Sequence, residues 1–192
     1  PSTTMKCAIF EENGNRHDMQ RVLGHVTLQN AVRRMGDFVL TSCAANALQP
    51  YRQNDNGWDQ GQVFFTPSQV WGMPPYYAQQ MAAAHHRPLT VGCGVEGADG
   101  VLDVTATRSR EAGSVVLHIA NTGAEPLRVG LRVDGMGKVS QARMVSLSGD
   151  LDAVNTPEEP RRIAPVGREL PAWAAQTVDI APYSYTIVVL DE

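Results

Sequence analysis

The sequence predicts an α+β fold in which two strand–helix units are followed by an antiparallel β-sandwich. Up to about residue 91, continuous apolar runs alternate with segments whose apolar residues recur every three or four positions. That pattern is typical of parallel strands covered by helices. From residue 92 onward apolar and polar residues alternate, and turn residues recur about every 8–12 positions, as in a sandwich. We therefore predict one unit at residues 1–91 and a second at residues 92–192.

The first unit is expected to hold two strands and two helices. Apolar runs predict the strands at residues 6–10 and 38–44. The helix between them is predicted to begin after Asp18, a residue type favoured at the N-cap, and to stop at Gly36. A second helix is predicted over residues 74–84, because proline is favoured in the first turn of a helix.

Two such units leave a parallel sheet open. A closed eight-stranded barrel needs about 250 residues, so we interpret residues 1–91 as its last two units, a C-terminal remnant of a (β/α)8 barrel. The first strand begins almost at once, at residue 6, which favours a piece of a longer protein. Barrel enzymes have their active sites at the carboxyl ends of the strands. The loops at residues 11–17 and 46–61 fall at those ends, so we expect them to converge on one site.

Two adjacent acids, Glu11 and Glu12, stand at the end of the first predicted strand. Alternation along a strand puts them on opposite faces, so at most one of them points into the mouth of a barrel. A carboxylate there suits glycoside hydrolysis, in which two acids flank the scissile bond. The alternative is that the strand simply emerges into a solvated loop. Both interpretations stay open at this point.

Three segments of the sequence carry a further signal: FEENGNRHDMQRVLGH, QPYRQNDNGWDQGQVFFTPSQVWGMPPYYAQQM and LSGDLDAVNTPEEPRRIAP. They resemble the C-terminal portion of the α-L-arabinofuranosidases of glycoside hydrolase family 51. The resemblance covers nearly all of the chain. It implies an exo-acting, retaining hydrolase that removes terminal arabinofuranosyl residues from arabinan, arabinoxylan or their oligosaccharides. It also implies that no metal ion or organic cofactor is needed.

The resemblance assigns roles to individual residues. Glu12 matches the nucleophile at the end of the seventh barrel strand, and Asn46 matches an amide that touches the arabinose. The general acid/base of the family belongs to an Asn-Glu motif that this sequence lacks, so we expect the chain alone to be inactive. Trp58, in a Gly- and Asn-rich loop, is a candidate for stacking on a sugar ring. Anchoring of the loop is an equal alternative for this tryptophan.

A competing hypothesis is a non-catalytic sandwich that binds carbohydrate or mediates subunit assembly. A row of exposed, coplanar aromatic residues on the sandwich would favour it. The second half of the sequence offers only Trp173, Tyr183 and Tyr185. Enzymatic function is therefore our leading prediction.

Composition restricts the partners. The net charge of −4 comes without a basic cluster, so nucleic acid is not expected as a partner. No apolar run approaches the roughly 20 residues that span a membrane.

An odd number of cysteines, Cys7, Cys43 and Cys93, predicts free core residues in a cytoplasmic protein. The open strand edges predict pairing with the rest of the protein's own barrel and a homo-oligomer.

Overall fold

The computed structural model describes residues 4–53, 59–98, 100–111, 113–171 and 177–192. Helices and strands follow one another along these ranges, with one short 3-10 turn at Gly36–Phe38. The elements are β1 Cys7–Glu12, α1 Met19–Arg34, β2 Val39–Ala44, β3 Leu48–Pro50, β4 Val63–Phe65, β5 Val70–Gly72, α2 Pro74–Ala84, β6 Leu89–Val91, β7 Leu102–Arg108, β8 Ser114–Asn121, β9 Leu127–Gly130, β10 Gln141–Ser148, β11 Val166–Leu170, β12 Thr177–Ile180 and β13 Ser184–Asp191.

The second half of the chain forms the predicted antiparallel sheets. Six strands pair in the order β11-β10-β13-β8-β7-β6, and β12 pairs with β9 in a second sheet. Every neighbouring pair in both sheets is antiparallel. The large sheet already begins at Leu89, because β6 pairs with β7. The division of the chain at residues 91 and 92 stays a prediction.

The central strand β13 is buried on both faces, and four apolar residues in a row, Ile187–Leu190, replace the usual alternation. On one face Tyr185, Ile187 and Val189 join the cluster that contains the buried side chains of both helices. On the other face Val188 and Leu190 join the cluster that contains residues of β12. Successive side chains of a strand point to opposite faces, so each face needs its own cover. The helices of the first half therefore share a core with the sheet of the second half.

The strands β1 and β2 pair in parallel, as predicted, and one of their faces is open. Phe10 is 80% exposed and Leu40 is 68% exposed. Cys43 and Cys93 are also exposed and Cys7 is half-buried, and all three are free thiols. The expectation that the cysteines lie in the core is therefore wrong for Cys43 and Cys93. Cys43 is on β2, which has an open face, and Cys93 follows β6 in a loop.

Helix α1 is fixed at both ends by other parts of the chain. At its start the backbone N–H groups of Met19 and Gln20 donate to the carbonyls of Ala153 and Leu151, at 3.3 and 2.8 Å. The N-cap Asp18 accepts from the N–H of Arg21 at 3.1 Å, which confirms the predicted cap. The first-turn donors of a helix lack acceptors within it. Here the segment after β10 supplies the acceptors.

The far half of α1 binds the large sheet through polar side chains. Asn30, which is fully buried, accepts from Thr105 at 2.8 Å and donates to the carbonyl of Asp103 at 3.2 Å. Arg34 forms an ion pair with the Asp103 carboxylate. No helix in the described ranges is long and apolar enough to cross a membrane.

A buried asparagine holds the proline-rich segment that caps α1. The Asn155 amide donates to the carbonyls of Gly72 and Ile163 at 2.8 and 2.9 Å. Its oxygen accepts from the N–H of Ile163 at 2.8 Å. These bonds join β5 to the segment that satisfies the start of the helix.

Replacement of Asn155 should therefore destabilise the fold. Asn155→Ala leaves three buried backbone groups without partners, and we expect a loss of about 2–4 kcal/mol in the free energy of unfolding. Chemical denaturation of wild type and variant measures the loss. Glu158→Ala, an exposed change in the same segment, should leave the midpoint unchanged. Equal midpoints for Asn155→Ala and Glu158→Ala would contradict this account of the segment.

Candidate active site

The loops that follow β1 and β2 meet at the carboxyl ends of these strands, as predicted. The N–H of Ala45 donates to the carbonyl of Glu12 at 3.2 Å. Gln60, which is buried, links the two loops with its side-chain amide. Its oxygen accepts from the N–H of Gly14 at 3.1 Å, and its nitrogen donates to Asn13 at 3.3 Å and Asn46 at 3.5 Å. Three polar segments thus converge beside Glu12.

Glu12 is buried, whereas Glu11 is exposed. The β1–β2 register shifts between Ile9 and Glu12. Such an irregularity changes the direction in which the following side chains point. The Glu12 side chain is only 4% exposed, and both of its oxygens accept hydrogen bonds. Ser42 Oγ donates to Oε2 at 2.6 Å, and the His25 ring contacts Oε1 through Nδ1.

The proton on His25 can be assigned from its second partner. Arg21 Nε lies 2.7 Å from His25 Nε2. A guanidinium can only donate, so His25 Nε2 carries the lone pair and accepts. The ring proton is then on Nδ1, where it is donated to the Glu12 carboxylate. His25 therefore donates to Glu12 through Nδ1 and accepts from Arg21 through Nε2, so both ring nitrogens are engaged.

Glu12 is held in its charged form. Burial by itself would raise the pKa of the Glu12 carboxyl. The hydrogen bonds from His25 and Ser42 and the positive charge of Arg21 outweigh burial, so the pKa lies below its ordinary value. Hydrogen bonds to the charged form have this effect on any carboxyl group. The site thus presents an anion at the end of β1.

Arg21 connects the site loops to α1. Besides His25, its guanidinium donates to the carbonyls of Arg16, at 2.9 Å, and of Gln60 and Ala45. Burial lowers the pKa of Arg21, and the charges of Glu12 and Asp18 oppose this shift. One side chain thereby ties together the loop after β1, the loop after β2 and the segment around Gln60.

A family model described as the α-L-arabinofuranosidase C-terminal domain matches residues 10–184. The chain belongs to this family. A search of curated protein sequences found no match.

Solved structures of arabinofuranosidases have the same fold. The chain superposes on a GH51 enzyme of Thermotoga petrophila with a TM-score of 0.81 and 18% identity, over 97% of the chain and 43% of the enzyme. The enzyme of Thermotoga maritima in complex with arabinose superposes with a TM-score of 0.73 and 19% identity, over 96% of the chain and 40% of the enzyme. The arabinose-bound MgGH51 enzyme superposes with a TM-score of 0.77 and 21% identity, over 92% of the chain and 28% of the enzyme. The chain therefore spans less than half the length of each enzyme.

Asn46 and Trp58 are the other two predicted site residues. Asn46 is half-buried at the junction of the loops, whereas Trp58 lies outside the described residues. In the part of the chain that the structure describes, no group of three or more His, Cys, Asp or Glu residues could hold a metal ion.

Four residues of the site were not predicted: Arg21, His25, Ser42 and Gln60. A signal for two of them is in the sequence, because Arg21 and His25 are four positions apart and lie on the same face of a helix. No comparable spacing relates Ser42 or Gln60 to Glu12.

The lowered pKa of Glu12 predicts a pH-dependent contribution to stability. A carboxyl whose folded pKa lies below its ordinary value of 4.5 stabilises the fold fully above that value, and this contribution is lost as the pH falls through the folded pKa. We expect Glu12→Gln to be less stable than wild type near neutral pH, with a difference that narrows below about pH 4.5. Chemical denaturation at several pH values measures it. Glu11→Gln, an exposed change, serves as the control, and a Glu12→Gln difference independent of pH would contradict the assignment.

Proposed function

We propose that the chain is the C-terminal part of an exo-acting, retaining α-L-arabinofuranosidase in which Glu12 is the nucleophile. The observation that supports this best is the Glu12 carboxylate, kept charged by His25 and Ser42 where the two loops meet. Family membership supports the reaction class. The proposed substrates are terminal arabinofuranosyl residues of arabinan, arabinoxylan and their oligosaccharides.

The proposed reaction has two steps. A Glu12 oxygen bonds to the anomeric carbon while the bond from that carbon to the leaving oxygen breaks, and a general acid gives its proton to the leaving oxygen. Water then attacks the same carbon and releases Glu12, and its proton goes to the acid/base group. The nucleophile must be unprotonated, which the lowered pKa of Glu12 favours. Each carboxylate oxygen has two lone pairs, so an oxygen that accepts one hydrogen bond can still attack.

The second carboxyl group must lie about 5–5.5 Å from the nucleophile in a retaining enzyme. We propose that it belongs to the remainder of a (β/α)8 barrel that completes the pair β1–β2. Exposed Phe10 and Leu40 offer that remainder an apolar face. Asn46 and Trp58 are proposed to contact the arabinose, Asn46 through its amide and Trp58 through ring stacking.

A non-catalytic carbohydrate-binding sandwich has less support. Such a module would present aromatic side chains to the sugar. In the described part of residues 92–192, Tyr185 is fully buried and Tyr183 is half-buried. Trp173 lies outside the described residues.

The proposal predicts that Glu12→Ala abolishes turnover of an aryl arabinofuranoside by the full-length protein. Azide should restore product of inverted configuration, because it replaces the missing carboxylate at the anomeric carbon. Glu11→Ala is the matched control, and we expect it to keep most of the activity. Loss of activity in Glu11→Ala, with near-normal activity in Glu12→Ala, would assign the nucleophile to Glu11 instead.

The proposal also predicts that residues 1–192 alone do not turn over this substrate. One carboxylate cannot serve as nucleophile and acid/base at once across a glycosidic bond. The assay compares the purified chain with the full-length protein at equal molar concentration. Activity of the chain that disappears in its own Glu12→Ala variant would refute the prediction, since both carboxyl groups would then lie within these residues.

A further inference from the structure

We propose that His25, oriented by Arg21, is a positioning residue that holds one oxygen of Glu12 and keeps the carboxylate in a single orientation for attack. This inference rests on the proposed function and deepens it. It assigns a role in catalysis to a residue on helix α1 that does not touch the substrate.

The geometry of α1 brings the two residues together. Arg21 and His25 are one helical turn apart, and side chains at this spacing lie on the same face. Both are buried, at 6% and 3% exposure. From this face His25 reaches Glu12 across the gap between helix and strand. The start of α1 is fixed by Ala153 and Leu151, so the height of His25 above the strand is fixed as well.

The directions of its hydrogen bonds make His25 a donor to Glu12. Arg21 Nε donates to His25 Nε2 at 2.7 Å, which requires a lone pair on that nitrogen. The proton on Nδ1 therefore has one acceptor, Glu12 Oε1. A protonated ring would present two donors and lose the bond from Arg21. The arginine thus keeps His25 in the tautomer that serves the carboxylate.

The charged and polar groups around Glu12 come from two elements. His25 and Arg21 face it from α1, and Ser42 faces it from β2. Asp18 faces Arg21 from the start of the helix, and the neighbouring Glu11 is exposed. Burial raises the pKa of Glu12, and without the His25 donor only Ser42 and Arg21 would oppose that rise. The carboxyl group should then be harder to ionise and free to rotate.

The test uses the full-length protein with His25→Leu, which keeps the side-chain volume but removes the donor. We expect kcat to fall by about 10²-fold, as for a small misplacement of a reacting group, with KM little changed. The acidic limb of the kcat/KM profile should move up by about one pH unit or more, since a hydrogen bond to a charged group is lost. Gln20→Leu, on the exposed side of α1, is the control and should match wild type.

Two polar variants separate positioning from packing. The amide nitrogen of Asn can take the place of His Nδ1, whereas that of Gln extends to the place of Nε2. His25→Asn should therefore restore most of kcat and the wild-type pH limb, and His25→Gln should not. This comparison also decides the matter if His25→Leu does not fold. Equal profiles for Asn and Gln, or an acidic limb unmoved in folded His25→Leu, would overturn the inference.

Failure of the inference differs from failure of the proposed function. If Glu12→Ala is inactive but the His25 variants keep the wild-type pH profile, the function stands and the role of His25 falls. If Glu12→Ala is fully active, Glu12 is not the nucleophile and both fall together.

Discussion

The buried guanidinium of Arg21 is the constraint on which the site depends. Its donors have to find acceptors, because a buried charge without hydrogen bonds is costly. In this chain the acceptors are three loop carbonyls and the His25 ring. In the observed arrangement each loop supplies a carbonyl acceptor to this arginine. The same side chain therefore fixes the loops and the tautomer of the histidine that contacts Glu12.

Helix α1 connects the sandwich to the site and so fixes the position of Arg21 and His25. Its first-turn donors bind the segment after β10, and Asn30 and Arg34 bind β7. The helix also contributes Met19, Val22 and Val26 to the core that it shares with the large sheet. The sandwich thus acts as the platform that sets where Glu12 is held. The segment LDAVNTPEEP thus caps the helix that follows the segment FEENGNRHDM.

Local patterns predicted the elements well and their assembly less well. The cap at Asp18, the stop at Gly36 and the antiparallel strands each follow from short-range chemistry, and all are confirmed. Strand alternation correctly separated Glu11 from Glu12. It did not predict the register shift after Ile9, because a bulge depends on how the neighbouring strand is paired. The exposure of Cys43 was missed for a related reason, since burial was inferred without knowing which layers cover β2.

The site beyond Glu12 was hidden from sequence reasoning because its contacts are distant in the chain. His25 and Ser42 meet Glu12 only after a helix and a second strand have packed. The spacing of Arg21 and His25 reveals a shared helical face, but a single sequence does not say which residue lies opposite that face.

The most direct test of the account is to trap the covalent intermediate on the full-length protein. A 2-fluoro arabinofuranoside with a good leaving group should form a glycosyl-enzyme that hydrolyses slowly, because fluorine destabilises the positively charged transition state. Proteolysis and tandem mass spectrometry then locate the sugar. The account predicts the label on Glu12, with no label in Glu12→Ala. A label on Glu11, or on a residue outside this chain, would contradict it.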